Sequence, residues 1–148
     1  RTVLLLVPRV DQAHRLAQKI SKGFITAIAV TSKVSKGLRQ QRIQQVRSGQ
    51  IQVLVATQLA DEGLDIPTLD ALIVASTGRA AGRAIQRLGR VMRVSREKKQ
   101  PVVVDVGDPT PFKSQAAARS MAYMRELSII APTPVSGEEA LDILKSLP

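Results

Sequence analysis

The sequence predicts an α/β fold, a parallel sheet with helices on both faces. Two observations carry that expectation. Short runs of Val, Ile, Leu and Ala alternate with stretches of helical spacing, and the connections between them are short. Aromatic residues make up only 2% of the 148 residues while hydrophobic residues make up 44%, so the core is aliphatic, as strands covered on both faces require. Strand–helix–strand alternation of this kind implies parallel strands joined by right-handed crossovers.

The elements follow in order. "TVLLLV" (2–7) reads as a buried strand, and "DQAHRLAQKI" (11–20) as a helix with Asp11 as its candidate N-cap. "TAIAV" (26–30) is a second strand. "KGLRQQRIQQVRSG" (36–49) is a helix with Leu38, Ile43 and Val46 inward and Gly49 at its end. "IQVLVAT" (51–57) and "DALIVAS" (70–76) are the third and fourth strands, 80–93 a helix, and "PVVVDV" (101–106) the fifth strand. After Gly107 the pattern changes. "DPTPF" breaks the chain, and 114–128 is helical with Ala117, Met121, Met124 and Leu127 as its inward stripe. A linker covers 131–137. Ser136 and Glu139 then open a short amphipathic helix at capping-box spacing. The division expected is a domain over 1–107 and a helical C-terminal appendage over 108–148 that packs on the sheet or on a neighbouring domain.

Composition narrows the function. The chain has no cysteine and one histidine, His14, which excludes disulfides and thiolate metal sites and leaves no metal site to expect. No apolar run approaches the roughly 20 residues that span a bilayer, and no signal peptide is visible, so a cytoplasmic or nuclear setting without a membrane partner is expected. The formal net charge of +10 predicts attraction to polyanions, nucleic acid first. The charge is segregated. No acid lies between Asp11 and Asp61, where Arg15, Lys19, Lys22, Lys33, Lys36, Arg39, Arg42 and Arg47 all occur.

In an open parallel sheet, ligands bind beyond the carboxyl ends of the strands. The predicted exits are Pro8-Arg9, Thr31-Ser32-Lys33, Thr57-Gln58 and Ser76-Thr77-Gly78-Arg79. Each carries hydroxyls, a cation or both, the groups that phosphate oxygens bind. A second feature is the stretch "QRLGRVMR" (86–93). On a helix of about 100° per residue, Arg79, Arg83, Arg87, Arg90 and Arg93 fall within a sector of roughly 120°, with Ala81, Ile85, Leu88 and Met92 opposite. Like charges at this spacing cost roughly 1–2 kcal/mol in total, and Gly89 inside the helix about 1 more. A solvated face covering apolar surface with arginine stems would mix in Glu and Lys, and this face has neither. A row of planar cations aimed at phosphate is the reading that explains the cost.

Together with "VLVATQLADEGLDIP" (53–67), this arginine helix resembles the second RecA-like domain of superfamily-two helicases and translocases. "ATQLADEGLDIP" is similar to motif V of that family, "QRLGRVMR" to motif VI, and "VLLLVPRVDQAHRLA" (3–17) more loosely to motif IV. The resemblance covers about the first 107 residues. It implies a RecA-like, P-loop-NTPase-type fold. Yet the chain has no P-loop of its own, since it contains no Gly-Lys pair, and no acidic pair follows a buried strand to hold magnesium.

The resemblance therefore implies half of an ATPase. ATP and Mg2+ would be bound mainly by an N-terminal RecA-like domain of the same polypeptide, for which Arg1 directly before a strand marks a domain boundary. Arg90 and Arg93 match the arginine fingers, placed to reach the γ-phosphate. Gln86 and Arg87 match positions lining the interdomain cleft. Gly63 and Asp65 match the motif V turn beside the nucleotide, the competing role of Asp65 being to cap the turn before Ile66-Pro67. Thr57 matches a position that hydrogen-bonds a nucleic-acid phosphate, its competing role being to cap a following short helix. Arg9, Ser32 and Lys33 lie on the same nucleic-acid rim, with Ser32 standing where the family often has glycine. Glu62, and the Gln that opens motif VI, bring the chain closer to the DNA-repair and phage-type branch than to DEAD-box RNA helicases, so DNA is favoured over RNA. Two other classes compete: a non-catalytic RecA-like scaffold that binds nucleic acid or protein, and a small α/β phosphotransferase. Both finger arginines speak against the scaffold, and the missing P-loop, nucleophile and base against the transferase.

Overall fold

The computed structural model describes residues 1–57, 66–75, 102–106, 113–127 and 135–146. Five strands form one all-parallel sheet: β1 (Thr2–Leu6), β2 (Ala27–Val30), β3 (Val53–Ala56), β4 (Leu69–Val74) and β5 (Val102–Asp105). Their spatial order is β2-β3-β1-β4-β5. Four helices are described: α1 (Val10–Ile20), α2 (Lys36–Arg47), α3 (Lys113–Leu127) and α4 (Gly137–Ser146). Four strands fall inside their predicted runs, shortened where ladder pairing stops, and β4 begins at Leu69, one residue before its predicted run of 70–76. The predicted helix at 80–93 lies outside the described residues, as does most of the predicted linker.

Topology explains why helices cover both faces. From β1 the chain passes over β3 to reach β2, and from β2 it turns back to β3. Right-handed crossovers in opposite directions must pass on opposite faces. Accordingly, Ala13 and Ala17 of α1 pack with Leu5, Val7, Ala29, Val53 and Val55 on one face. Ile43 and Val46 of α2 pack with Leu4, Leu6, Val30, Leu54 and Ala56 on the other. Alternate residues of the same strands thus feed two cores. Leu4, Leu54 and Leu72 are at most 1% exposed, each burial contributing about 1.5–3 kcal/mol.

Between β1 and β4 the pairing steps from Thr2–Leu69 to Val3–Ala71. Asp70 is the extra residue, and its Oδ1 accepts the Thr2 amide proton at 2.9 Å. This bulge sits at the amino ends of the strands. At their carboxyl ends the ladder is regular, pairing Val30, Ala56, Leu6, Val74 and Asp105 in one row across all five strands.

Several local expectations are corrected. Asp11 is not the N-cap of α1. Arg9 occupies that position with extended backbone and no side-chain cap, and Asp11 lies in the first turn, where a negative charge suits the helix dipole. Ser35 caps α2 through its hydroxyl, which accepts the Leu38 N–H at 3.3 Å, and Leu38 itself is 40% exposed rather than inward. Gly49 follows the end of α2 with φ of 76°, the left-handed conformation that glycine adopts without strain. On α3 three residues of the expected stripe are turned out. Ala117, Met121 and Met124 are exposed, and Tyr123, at 3% exposure, enters the α2-side core with Ala122 beside it. The Ser136–Glu139 capping box forms as expected. Glu139 Oε2 accepts the Ser136 N–H at 2.7 Å, and the Glu139 N–H is donated to Ser136 Oγ at 3.2 Å.

Candidate nucleic-acid interface

The regular ladder at the carboxyl ends decides where the strand exits lie. One residue beyond the last paired row stand Thr31, Thr57, Val7, Ala75 and Val106, on β2, β3, β1, β4 and β5 respectively. Backbone bonds carry the sheet into this row. Val7 N–H donates to Ala56 at 2.9 Å, Ala75 N–H to Leu6 at 2.8 Å, and Thr57 N–H to Val30 at 3.4 Å. The expected rim residues come from the exits of the first, second and third strands. The order β2-β3-β1 makes those exits neighbours, although they are dispersed over 49 positions of sequence, from 9 to 57.

Each exit presents its groups differently. After β1, Arg9 extends into solvent with 76% of its side chain exposed, and its Nε donates to Asp11 Oδ1 at 3.1 Å. Arg15, one turn further along α1, donates to the other oxygen of Asp11 at 3.0 Å. The Arg9 guanidinium, hydrogen-bonded to Asp11, holds that carboxyl below the ordinary value of 3.8, with help from the charge on Arg15. After β2 the chain makes a tight turn closed by the Val34 N–H donating to the Thr31 carbonyl at 3.1 Å. Ser32 and Lys33 are the two central residues of that turn, and both are exposed. A hydroxyl and an ammonium at a turn apex are free to meet a phosphate.

After β3 the arrangement is inward. Thr57 is 5% exposed, and its Oγ1 is buried without a hydrogen-bond partner among the described residues. Thr31, 2% exposed, has the same unpartnered oxygen. A buried hydroxyl left unpaired costs about 1–3 kcal/mol, so two side by side are an expense that packing does not explain. Thr31 belongs to the strand exits expected from the sequence but not to the expected site residues. The signal was available: a β-branched hydroxyl residue ends an otherwise apolar strand run. Beside the rim, Arg42 Nη1 reaches back from α2 to donate to the Ala29 carbonyl of the edge strand β2. That contact blunts an edge which could otherwise pair with another strand.

Gly63, Asp65, Gln86, Arg87, Arg90 and Arg93, the residues expected at the nucleotide side, lie outside the described residues. So does the fourth predicted exit, Ser76–Arg79. Among the described residues no group of three or more His, Asp or Glu side chains is placed to hold a metal ion, and no helix is long and apolar enough to cross a membrane.

Comparison with known proteins agrees with this architecture. Residues 1–95 match the family described as the helicase conserved C-terminal domain. The chain is 40% identical over 103 residues to putative helicase 22 of a Sulfolobus islandicus filamentous virus, covering 70% of this chain and 18% of that protein. It is 33% identical over 92 residues to the DNA 3'-5' translocase XPB2 of Sulfurisphaera tokodaii, covering 62% of this chain and 20% of the relative. The chain thus spans about a fifth of the length of these curated relatives. Among solved structures, the C-terminal domain of the DEAD-box protein Dbp5 superposes with a TM-score of 0.74 at 22% identity, over 99% of this chain and 82% of that one. This last likeness is one of fold.

Proposed function

Because the chain belongs to the helicase conserved C-terminal domain family, we propose that it is the second motor domain of an ATP-dependent nucleic-acid helicase or translocase. The observation that carries this reading is the contiguous rim. Ser32 and Lys33, Thr57 and Arg9 stand at the exits of the adjacent strands β2, β3 and β1, with exposed cations on either side of the inward Thr57, a row of groups suited to the phosphates of one strand. In this reading residues 1–107 are the motor domain and 108–148 its helical appendage. ATP and Mg2+ are held mainly by an N-terminal RecA-like domain of the same polypeptide, which supplies the P-loop.

Closure of the two domains would then bring Arg90 and Arg93 to the γ-phosphate, where fixed positive charge stabilises the charge that spreads over the transferring oxygens. Gln86 and Arg87 would line the cleft, and Gly63 and Asp65 would shape the turn beside the ribose. The same closure shifts the grip of the rim along one strand, so hydrolysis is converted into movement. DNA is the favoured strand: Gln86 and Glu62 depart from the DEAD-box pattern, and one relative is a DNA translocase by name.

The decisive experiment substitutes Arg90→Ala, and separately Arg93→Ala, in the protein carrying both motor domains. Loss of a finger lowers nucleic-acid-stimulated ATP hydrolysis by about a thousandfold or more, with nucleic-acid affinity retained. Normal stimulated hydrolysis in both variants would sink the finger assignment and leave a nucleic-acid-binding scaffold as the better description. The 148-residue chain alone is expected to bind single strands weakly, with affinity that falls steeply as salt rises. Stronger binding to RNA than to DNA in that assay would overturn the DNA preference.

A further inference from the structure

We infer that Thr31 is a further nucleic-acid-contacting residue, its hydroxyl and that of Thr57 forming a paired receptor for one backbone phosphate at the exits of β2 and β3. The inference rests on the phosphate-rim reading above and adds Thr31, the exit residue of β2, to the contacts that the family resemblance implies.

Three observations carry it. First, the two threonines are register neighbours. Val30 pairs with Ala56, and the Thr57 N–H continues the ladder to the Val30 carbonyl, which sets the two backbones about 4.8 Å apart. Strand alternation puts both side chains on the face of Ala29 and Val55, the face covered by α1. Second, both hydroxyl oxygens are buried and neither has a hydrogen-bond partner among the described residues. The other members of the same row, Val7, Ala75 and Val106, are apolar. Valine would fill the space of either threonine and leave nothing unsatisfied, so free-chain stability gives no reason for a hydroxyl at 31 or at 57. Third, further donors stand at the same and the neighbouring strand exit. The Ser32–Lys33 turn follows Thr31 directly, and α1 begins at the neighbouring exit with an N-cap that supplies no side-chain bond to its first amides.

Each hydroxyl donates its proton to a non-bridging phosphate oxygen, so the missing partner of the free chain is supplied by the ligand. Both oxygens are closed to solvent in the free chain. The contact therefore forms only as the phosphate displaces what covers them at the strand exits. Because a hydroxyl carries no charge, the contact releases no counterion. Its loss weakens binding at every salt concentration without changing the salt slope, whereas loss of Lys33 lowers that slope by about 1.

The test uses the 148-residue chain, fluorescent single-stranded DNA and RNA, anisotropy over a salt series, and thermal unfolding of every variant. Thr31→Val should weaken binding about tenfold, keep the salt slope, and leave Tm unchanged or raised. Thr31→Ser should bind as the parent does. Thr57→Val should behave like Thr31→Val, and the double variant should lose less than the product of the two singles, since one phosphate is shared. Parental affinity in Thr31→Val overturns the inference. So does a fall in Tm that accompanies the loss of binding, which would make the hydroxyl structural, and so does strict additivity in the double variant. If the parent chain shows no salt-dependent binding, or Lys33→Ala leaves the slope unchanged, the rim reading fails and this inference with it. A normal parent and Lys33 response beside an unchanged Thr31→Val rejects the inference alone.

Discussion

The hydroxyl of Tyr123, in the middle of α3, donates to Oδ2 of Asp105, the last residue of β5, at 3.1 Å. This bond joins the C-terminal part of the chain to the sheet. Tyr123 is buried in the core that α2 also covers, so its ring packs against aliphatic side chains while its oxygen finds a charged acceptor at the sheet edge. The helix that follows β5 is therefore part of the fold's support and not a free extension.

The two contributions of Tyr123 should separate by mutation. Tyr123→Phe keeps the packing and loses the bond, for a destabilisation of about 0.5–1.5 kcal/mol. Tyr123→Ala also leaves a cavity, for about 3–5 kcal/mol. Urea unfolding monitored by circular dichroism measures both. If neither variant moves the midpoint, α3 contributes nothing to the stability of the sheet.

The start of α4 gives a second, local prediction. The Ser136 N–H bonded to Glu139 holds that carboxyl below its ordinary value of 4.5. A folded value depressed below the unfolded one means that Glu139 supports the helix above pH 4.5, and that this support disappears as the pH falls through the folded value. Ser136→Ala should cost the helix about 1 kcal/mol and speed amide exchange in its first turn. Exchange rates in that turn equal to those of the parent would show that the box is idle in solution.

How much of the fold and the rim was legible in the amino-acid order depended on the kind of signal. The strands were readable because a short aliphatic run bounded by turn residues fits little besides a strand buried on both faces, and β3, with four consecutive buried residues, is the clearest case. The capping box was readable because both partners are local. The inward face of α3 was not. Met121 and Met124 offered an apolar stripe, but the chain's single tyrosine took the core position, because Asp105, 18 residues away, supplies a partner for its hydroxyl. The cap of α1 failed similarly: Asp11 looks like an N-cap until Arg9 and Arg15 are seen to claim both of its oxygens. The rim residues were legible singly, as strand exits. Their adjacency was not, since it depends on β3 inserting between β1 and β2. The unpaired state of Thr31 and Thr57 is visible only once burial and partners are known.

Asp11 provides the last prediction, because it sets how available Arg9 is. Arg9 is the cation of the proposed rim at the β1 exit, and its Nε is engaged by an acid two residues away. A phosphate that recruits Arg9 must compete with that carboxylate and approach its negative charge. Asp11→Asn removes the charge and weakens the internal contact, so single-strand affinity at low salt should rise about three- to tenfold, and the salt slope should steepen as one more cation engages phosphate. The effect should shrink in Asp11→Asn combined with Arg9→Ala, where only the lost repulsion and the release of Arg15 remain. The pair itself can be checked by carboxyl NMR titration. With its folded value below 3.8, Asp11 contributes to stability above that pH and ceases to contribute as the pH falls through the folded value. Both partners are exposed, so the stability effect is small and the affinity change is the informative measurement. Unchanged affinity in Asp11→Asn would mean that Arg9 does not touch the nucleic acid, and would confine the rim to the exits of β2 and β3.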